Sequence, residues 1–196
     1  VRDELTISSP LTLTKSPPSP DEAIEVGVPE SLVLLKRGLK NKSELSVANA
    51  LRCVSQLAEG NAERQQALGE EGACDEVRNA LFSFPHSSIV CENGLRAVCY
   101  LSRYGQDKTT ANDANNIRFG ELELPAIIVG IMNAHMGCDK IALYGCKATM
   151  NLGSEDTNNA KLGDAGACET VVKVIRKYIS SENVLKQSLW ALINLA

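Results

Sequence analysis

The chain holds 196 residues, 44% apolar and only 4% aromatic, with 20 Lys+Arg against 24 Asp+Glu and a formal charge of −4. That length suffices for one domain, or one domain and a tail, whose core needs no disulfide or metal staple. The near balance of charge gives no global attraction to phosphate, so no nucleic acid is expected as a partner. No apolar run approaches the roughly 18 residues of a membrane span, and no charged start leads into an apolar segment like a signal peptide, so no membrane insertion is expected either.

The first twenty residues, VRDELTISSPLTLTKSPPSP, contain four of the seven prolines and seven Ser or Thr. They present no periodic apolar face and cannot offset the entropy of ordering, which predicts a disordered tail or linker over 1–20. Ser9, Ser16 and Ser19 each precede proline and are candidate phosphorylation sites; a plain solvated linker explains the composition as well.

From residue 21 onward the sequence repeats itself. LGEEGACDEV (68–77) returns as LGDAGACETV (162–171), FGELELPAII (119–128) is a weaker copy between them, and GVPESL (27–32) matches GACDEV (72–77). A second signature follows each copy: ALRCVSQL (50–57), GLRAVCYL (94–101), GCKATMNL (145–152) and SLWALINL (188–195), with final leucines 44, 51 and 43 residues apart. Seven before each leucine stands a small residue (Ala50, Gly94, Gly145, Ser188), and four before it another (Cys53, Ala97, Ala148, Ala191). Together with the position three before, these fall on one helical face, a narrow stripe that lets neighbouring helices approach closely. In each copy glycine ends one helix and a second begins, apolar at Val171, Val174, Ile175 and Ile179 in the last copy. A loop such as SFPHSS or SSEN then leads into the long third helix.

A short helix followed by two longer ones, at a period of about 42 to 50 residues, resembles the armadillo repeat, and SLWALINLA is close to that family's third-helix consensus. HEAT-type repeats are the alternative. The resemblance implies an all-α, right-handed α-solenoid of about four armadillo-type three-helix repeats over 21–196, at roughly 21–58, 59–104, 105–153 and 154–196, the first incomplete.

The resemblance also implies that the third helices line a concave groove for partner segments. Positions eight, five and one before each final leucine fall within about 60° of one another on the helix. They are Asn49, Arg52 and Gln56; Asn93, Arg96 and Tyr100; Tyr144, Lys147 and Asn151; and Gln187, Trp190 and Asn194. Amides there can bond an extended backbone, and planar groups can pack its side chains. Trp190 with Asn194, and Asn151 before them, match the family's peptide-binding pattern, in which asparagine bonds the ligand backbone and tryptophan walls a side-chain pocket. Elsewhere the tryptophan positions hold Arg52, Arg96 and Lys147, and the asparagine positions hold Gln56 and Tyr100. Three cations in a row argue against a basic cargo and favour an acidic or phosphorylated segment. At about 8 to 10 Å between packed helices and about 3.3 Å per extended residue, four helices span on the order of 10 ligand residues.

No metal, cofactor or catalytic chemistry is expected. The seven cysteines contain no C-x-x-C pair, and there are only two histidines, His86 and His135, so neither zinc spacing nor a nucleophile-base signature is present. Cys74 and Cys168 occupy equivalent positions and read as small core residues, and Gly69, Gly72, Gly163 and Gly166 lack the Lys-Ser/Thr of a phosphate loop. An odd cysteine count within apolar segments points to reduced thiols in the cytoplasm or nucleus. GQDKTTANDANN (105–116) reads as a polar insertion between repeats, and Ala196 follows the last third helix with no polar capping helix, as in a fragment of a longer repeat protein or an end that pairs with another chain. The functional expectation is a non-catalytic interaction scaffold or adaptor; the alternative is a regulatory solenoid gripping a folded partner, such as a small GTPase or an enzyme's catalytic domain, with self-association through the uncapped C-terminal end a third possibility.

Overall fold

Proline and glycine punctuate the helices as their backbone limits require. The computed structural model describes residues 27–102 and 110–196, and the predicted tail with its Ser-Pro sites lies outside them. Helix α1 (Val28–Lys40) starts with Pro29 in its first turn, where the missing N–H costs nothing, and pairs with α2 (Glu44–Ala58). Three triplets follow: α3 (Ala62–Glu70), α4 (Ala73–Ser83) and α5 (Ser88–Leu101); α6 (Thr110–Glu121), α7 (Leu124–Ala134) and α8 (Asp139–Leu152); α9 (Asp156–Asp164), α10 (Ala167–Lys177) and α11 (Glu182–Leu195). No strand occurs among the described residues. The turn from first to second helix is left-handed at Gly72 (φ 86°) and Gly166 (φ 79°), while the middle copy places Glu123 there at φ 56°. Glycine adopts that region freely, and a residue with a Cβ does so at a cost. Lys161 spans the strained corner, donating to the Gly120 carbonyl at 2.8 Å and the Glu123 carboxylate at 2.7 Å.

Each helix touches its counterpart in the next unit. First helices stack as α3, α6, α9; second helices as α1, α4, α7, α10; third helices as α2, α5, α8, α11. Among the described residues, the expected all-α solenoid is the architecture found, with two helices in the first repeat. No helix among the described residues is long and apolar enough to cross a membrane. The core between the layers is aliphatic, with Phe119 the one aromatic among its largest fully buried side chains. The small residues of the third helices have an identifiable neighbour: a Cβ at Gly94 would strike Leu81 of α4, and one at Gly145 would strike Met132 of α7. The close approach they permit is therefore to the second helix of the same unit.

Three sequence readings need correction. Residues 110–116 are not a loop insertion; they open α6, and Asn115 and Asn116 are buried. Asn115 Nδ2 donates to the carbonyls of Gln65 at 3.2 Å and Leu101 at 3.0 Å, so its polarity serves the contact between units. Residues 105–109 of that segment lie outside the described residues. Cys74 is buried beside Asn115, with its thiol 3.7 Å from Oδ1, but its counterpart Cys168 is exposed because no helix among the described residues packs over that side of α10. Ile179 also leaves the α10 stripe, lying exposed beyond the Tyr178 cap.

The Leu-Gly step of the repeat has a packing cause. Asn115 covers Gly69 and Asn158 covers Gly120 so closely that a Cβ would collide with the amide oxygen, whereas nothing lies near Gly163. Gly120→Ala should therefore cost about 1–3 kcal/mol through overpacking. Gly163→Ala should gain up to about 1 kcal/mol from helix propensity. Urea unfolding of the two variants against the parent checks the opposite signs.

Candidate functional site

The third helices present one continuous polar and aromatic face. α2 carries Asn49, Arg52 and Gln56; α5 carries Asn93, Arg96 and Tyr100; α8 carries Tyr144, Lys147 and Asn151; α11 carries Gln187, Trp190 and Asn194. All are half-buried or exposed except Asn151, at 8%. Helical spacing aims them outward while the small stripe turns in.

Along α5, α8 and α11 this face folds into a cavity of about 520 Å³. Tyr100, Tyr144, Lys147, Asn151, Gln187, Trp190 and Asn194 line it, joined by Cys99, Met150 and Ser154, which the face pattern did not select. Asn49, Arg52, Gln56, Asn93 and Arg96 lie outside the cavity. Met150 was hidden because its position, two before the final leucine, holds Ser55 and Cys99 in the earlier units, both buried.

Three of the four asparagines, Asn93, Asn151 and Asn194, are engaged within the protein. Asn151 Nδ2 donates to the Cys99 carbonyl at 3.0 Å and to Ser102 Oγ at 3.4 Å, and Asn194 Nδ2 donates to the Met150 carbonyl at 2.8 Å. Each amide thus ties its own third helix to the preceding one, leaving its oxygen as the group that can accept from a ligand backbone. Asn93 donates to Ile89 within its own helix.

The cations differ in their surroundings. Lys147 Nζ sits 5.7 Å from the centroid of the Tyr144 ring and makes no ion pair among the described residues. Arg52 also has none, and its Nε and Gln56 Oε1 are buried without partners. Arg96 lies 5.7 Å from the centroid of the Tyr100 ring and pairs with Glu59 at 3.4 Å, a residue that sequence spacing did not single out. Burial works against the charge on Arg96, but Tyr144, Tyr100 and Glu59 together hold its pKa above the ordinary value. Burial, then the hydrogen bond to Glu59, pushes the Tyr100 hydroxyl up to about 12, so it stays a neutral donor. Burial likewise pushes the Cys99 thiol on the cavity wall up to about 12, which keeps it protonated and a poor nucleophile. No cluster of three His, Cys, Asp or Glu suited to a metal occurs among the described residues.

Solved structures share this architecture. A designed armadillo repeat protein superposes with a TM-score of 0.66 at 23% identity, covering 82% of this chain and 62% of that one. A second, solved in complex with the peptide (KR)4, superposes with a TM-score of 0.67 at 22% identity, covering 88% of this chain and 70% of that one. The chain thus spans 62% of the first relative's length. No family model and no curated protein matches the chain. The fold is an armadillo-type α-solenoid.

The hydrogen bonds separate architectural from available groove residues. Asn151→Ala should lower stability by about 1–3 kcal/mol by removing the donor to the Cys99 carbonyl and the Ser102 hydroxyl. Gln187→Ala, which breaks no such bond, should stay within about 0.5 kcal/mol. Thermal unfolding monitored by circular dichroism measures both.

Proposed function

We propose that the chain is a non-catalytic protein-interaction scaffold or adaptor that binds a linear acidic or phosphorylated segment along its third helices. The observation that carries this reading is Lys147: a cation without a carboxylate partner among the described residues, on the wall of a cavity lined by Tyr100, Tyr144 and Trp190. Arg52 extends the positive character toward α2. The relative in complex with (KR)4 supports a peptide as the kind of ligand. The cations here favour the opposite ligand charge, because a basic segment would meet like charge along the groove. The free amide oxygens of Asn151 and Asn194 supply acceptors for the ligand's main chain, and the aromatic walls supply apolar area around an anchored side chain. Binding of this kind weakens with added salt.

Fluorescence polarisation with labelled acidic and phosphoserine decapeptides tests it. Lys147→Glu with Arg52→Glu should weaken binding at least tenfold, with helicity unchanged by circular dichroism. Equal affinity in parent and variant, or a preference for a basic decapeptide, removes the reading.

Self-association is a second reading, favoured by the outer face of α11. Leu51, Leu95 and Cys146 stand six before their final leucines and are fully buried, but Leu189 at the same position is 47% exposed, and Ile193 is 63% exposed. If a second copy covers this face, sedimentation velocity will show a concentration-dependent dimer that Leu189→Glu returns to monomer. A monomer at all concentrations removes this reading.

A further inference from the structure

Glu59 ends α2 and turns its carboxylate onto α5. Its Oε1 accepts from the Tyr100 hydroxyl at 2.6 Å, and its Oε2 accepts from Arg96 Nη2 at 3.4 Å. With the Arg96 guanidinium also set against the Tyr100 ring, carboxylate, guanidinium and phenol form a closed group at one end of the groove. Both carboxylate oxygens are engaged, so this acid is not standing free to receive a cation from a ligand. The other side of the group opens on the cavity, because Tyr100 is one of its walls.

The next junction is built differently. Lys147, the counterpart of Arg96, has no carboxylate partner among the described residues. Ser154 stands two residues after Leu152, as Glu59 stands two after Leu57, and its hydroxyl donates instead to the Asn151 carbonyl at 2.6 Å. Lys147 is therefore open, and its neighbour Arg96 is covered by an internal anion.

We propose that the Glu59 carboxylate is an intramolecular stand-in for an acidic ligand side chain, covering the Arg96–Tyr100 site until a carboxylate or phosphate on the bound segment displaces it. The proposal rests on the reading of the groove as a receptor for acidic segments, and deepens it by naming the spacing recognised. Helices that pack about 8 to 10 Å apart place the two cations about three residues apart on an extended ligand at about 3.3 Å per residue. The favoured ligand carries two anionic side chains at that separation: the first pairs with Lys147, and the second exchanges with Glu59. Exchange is within reach of a ligand anion because the Glu59–Arg96 pair is long and partly exposed, with side-chain exposures of 47% and 26%, and such pairs are weak and screened. A phosphate, with more charge and more acceptor oxygens than a carboxylate, displaces it more effectively.

Two labelled decapeptides test this on the full chain by fluorescence polarisation: one with a single phosphoserine, one with two phosphoserines three residues apart. Glu59→Gln keeps the shape of the side chain and removes its charge. It should tighten binding of the doubly phosphorylated peptide by roughly threefold or more and leave the singly phosphorylated one unchanged. Adding Arg96→Ala should cancel that gain. Unchanged or weaker binding of the double phosphopeptide by Glu59→Gln overturns the proposal, as does an equal gain for both peptides, which would report net charge alone. If the parent binds both peptides through Lys147 but ignores Glu59→Gln, only the stand-in role fails. If no variant binds either peptide, the groove reading fails with it.

Discussion

A side-chain amide that crosses from one repeat to the main chain of the preceding one sets the register of this stack. Asn115 reaches the carbonyls of Gln65 and Leu101, Asn158 reaches that of Asn116, Asn151 that of Cys99, and Asn194 that of Met150. Each bond is worth only about 1 kcal/mol net, but a carbonyl buried there without a donor would cost about 1–3 kcal/mol. Apolar burial alone would tolerate a slide of one helix along another, since it is non-directional. The amides do not tolerate it, because a donor has to meet its carbonyl within hydrogen-bond range. The same contacts explain why Gly69 and Gly120 carry no side chain: the amides above them occupy the space a Cβ would take.

That register determines what the groove has left to offer. Two of the amides on this face have donor capacity already in use: Asn151 Nδ2 donates twice, to the Cys99 carbonyl and Ser102 Oγ, and Asn194 Nδ2 donates once, to the Met150 carbonyl. On the proposed reading, discrimination falls to the charged and aromatic groups between the amides, where side chains differ most from one unit to the next. At the position of Arg52, Arg96, Lys147 and Trp190 the chain presents, in order, a cation with an unpartnered Nε, a cation covered by Glu59, a cation without an ion pair among the described residues, and an indole. The scaffold repeats, but the chemistry on it does not.

What the sequence reveals about this chain follows from which features are periodic. The stripe at Ala50, Gly94, Gly145 and Ser188 recurs with the packing of the third helices, which at Gly94 and Gly145 meet Leu81 and Met132 of their second helices, and Gly72 and Gly166 recur because the same turn needs a left-handed residue. Both could be read without coordinates. Glu123 breaks that rule, and only the Lys161 contacts account for its tolerance. Residues 110–116 were misread for a related reason: a run of Asn, Asp, Thr and Ala has the composition of a loop, and its helix is held by tertiary hydrogen bonds from Asn115 that no local propensity expresses. Cys168 carried the periodic signal of a core residue, but burial at that position comes from the following unit. Glu59 had no periodic partner at all, so its grip on Arg96 and Tyr100 was invisible to a reading based on repetition.

The position of the cavity has an energetic consequence that a compact domain would not share. In a stack whose units contact only their neighbours, stability is close to a sum of unit and junction contributions. The cavity draws on α5, α8 and α11, so an occupant would add its binding energy to the two junctions that join those helices and nothing directly to the junction between α2 and α5. Glu59 sits at the border of these regions: it belongs to α2 and its loop, yet it bonds to α5. A ligand anion that takes its place on Arg96 would exchange one junction contact for a ligand contact, strengthening the stack from α5 onward while loosening its hold on α2. Affinity for the second anion of a ligand is then coupled to how tightly the first two third helices are held together. A single carboxylate on the edge of the groove would be enough to create that coupling, because the bonds it makes join two repeats.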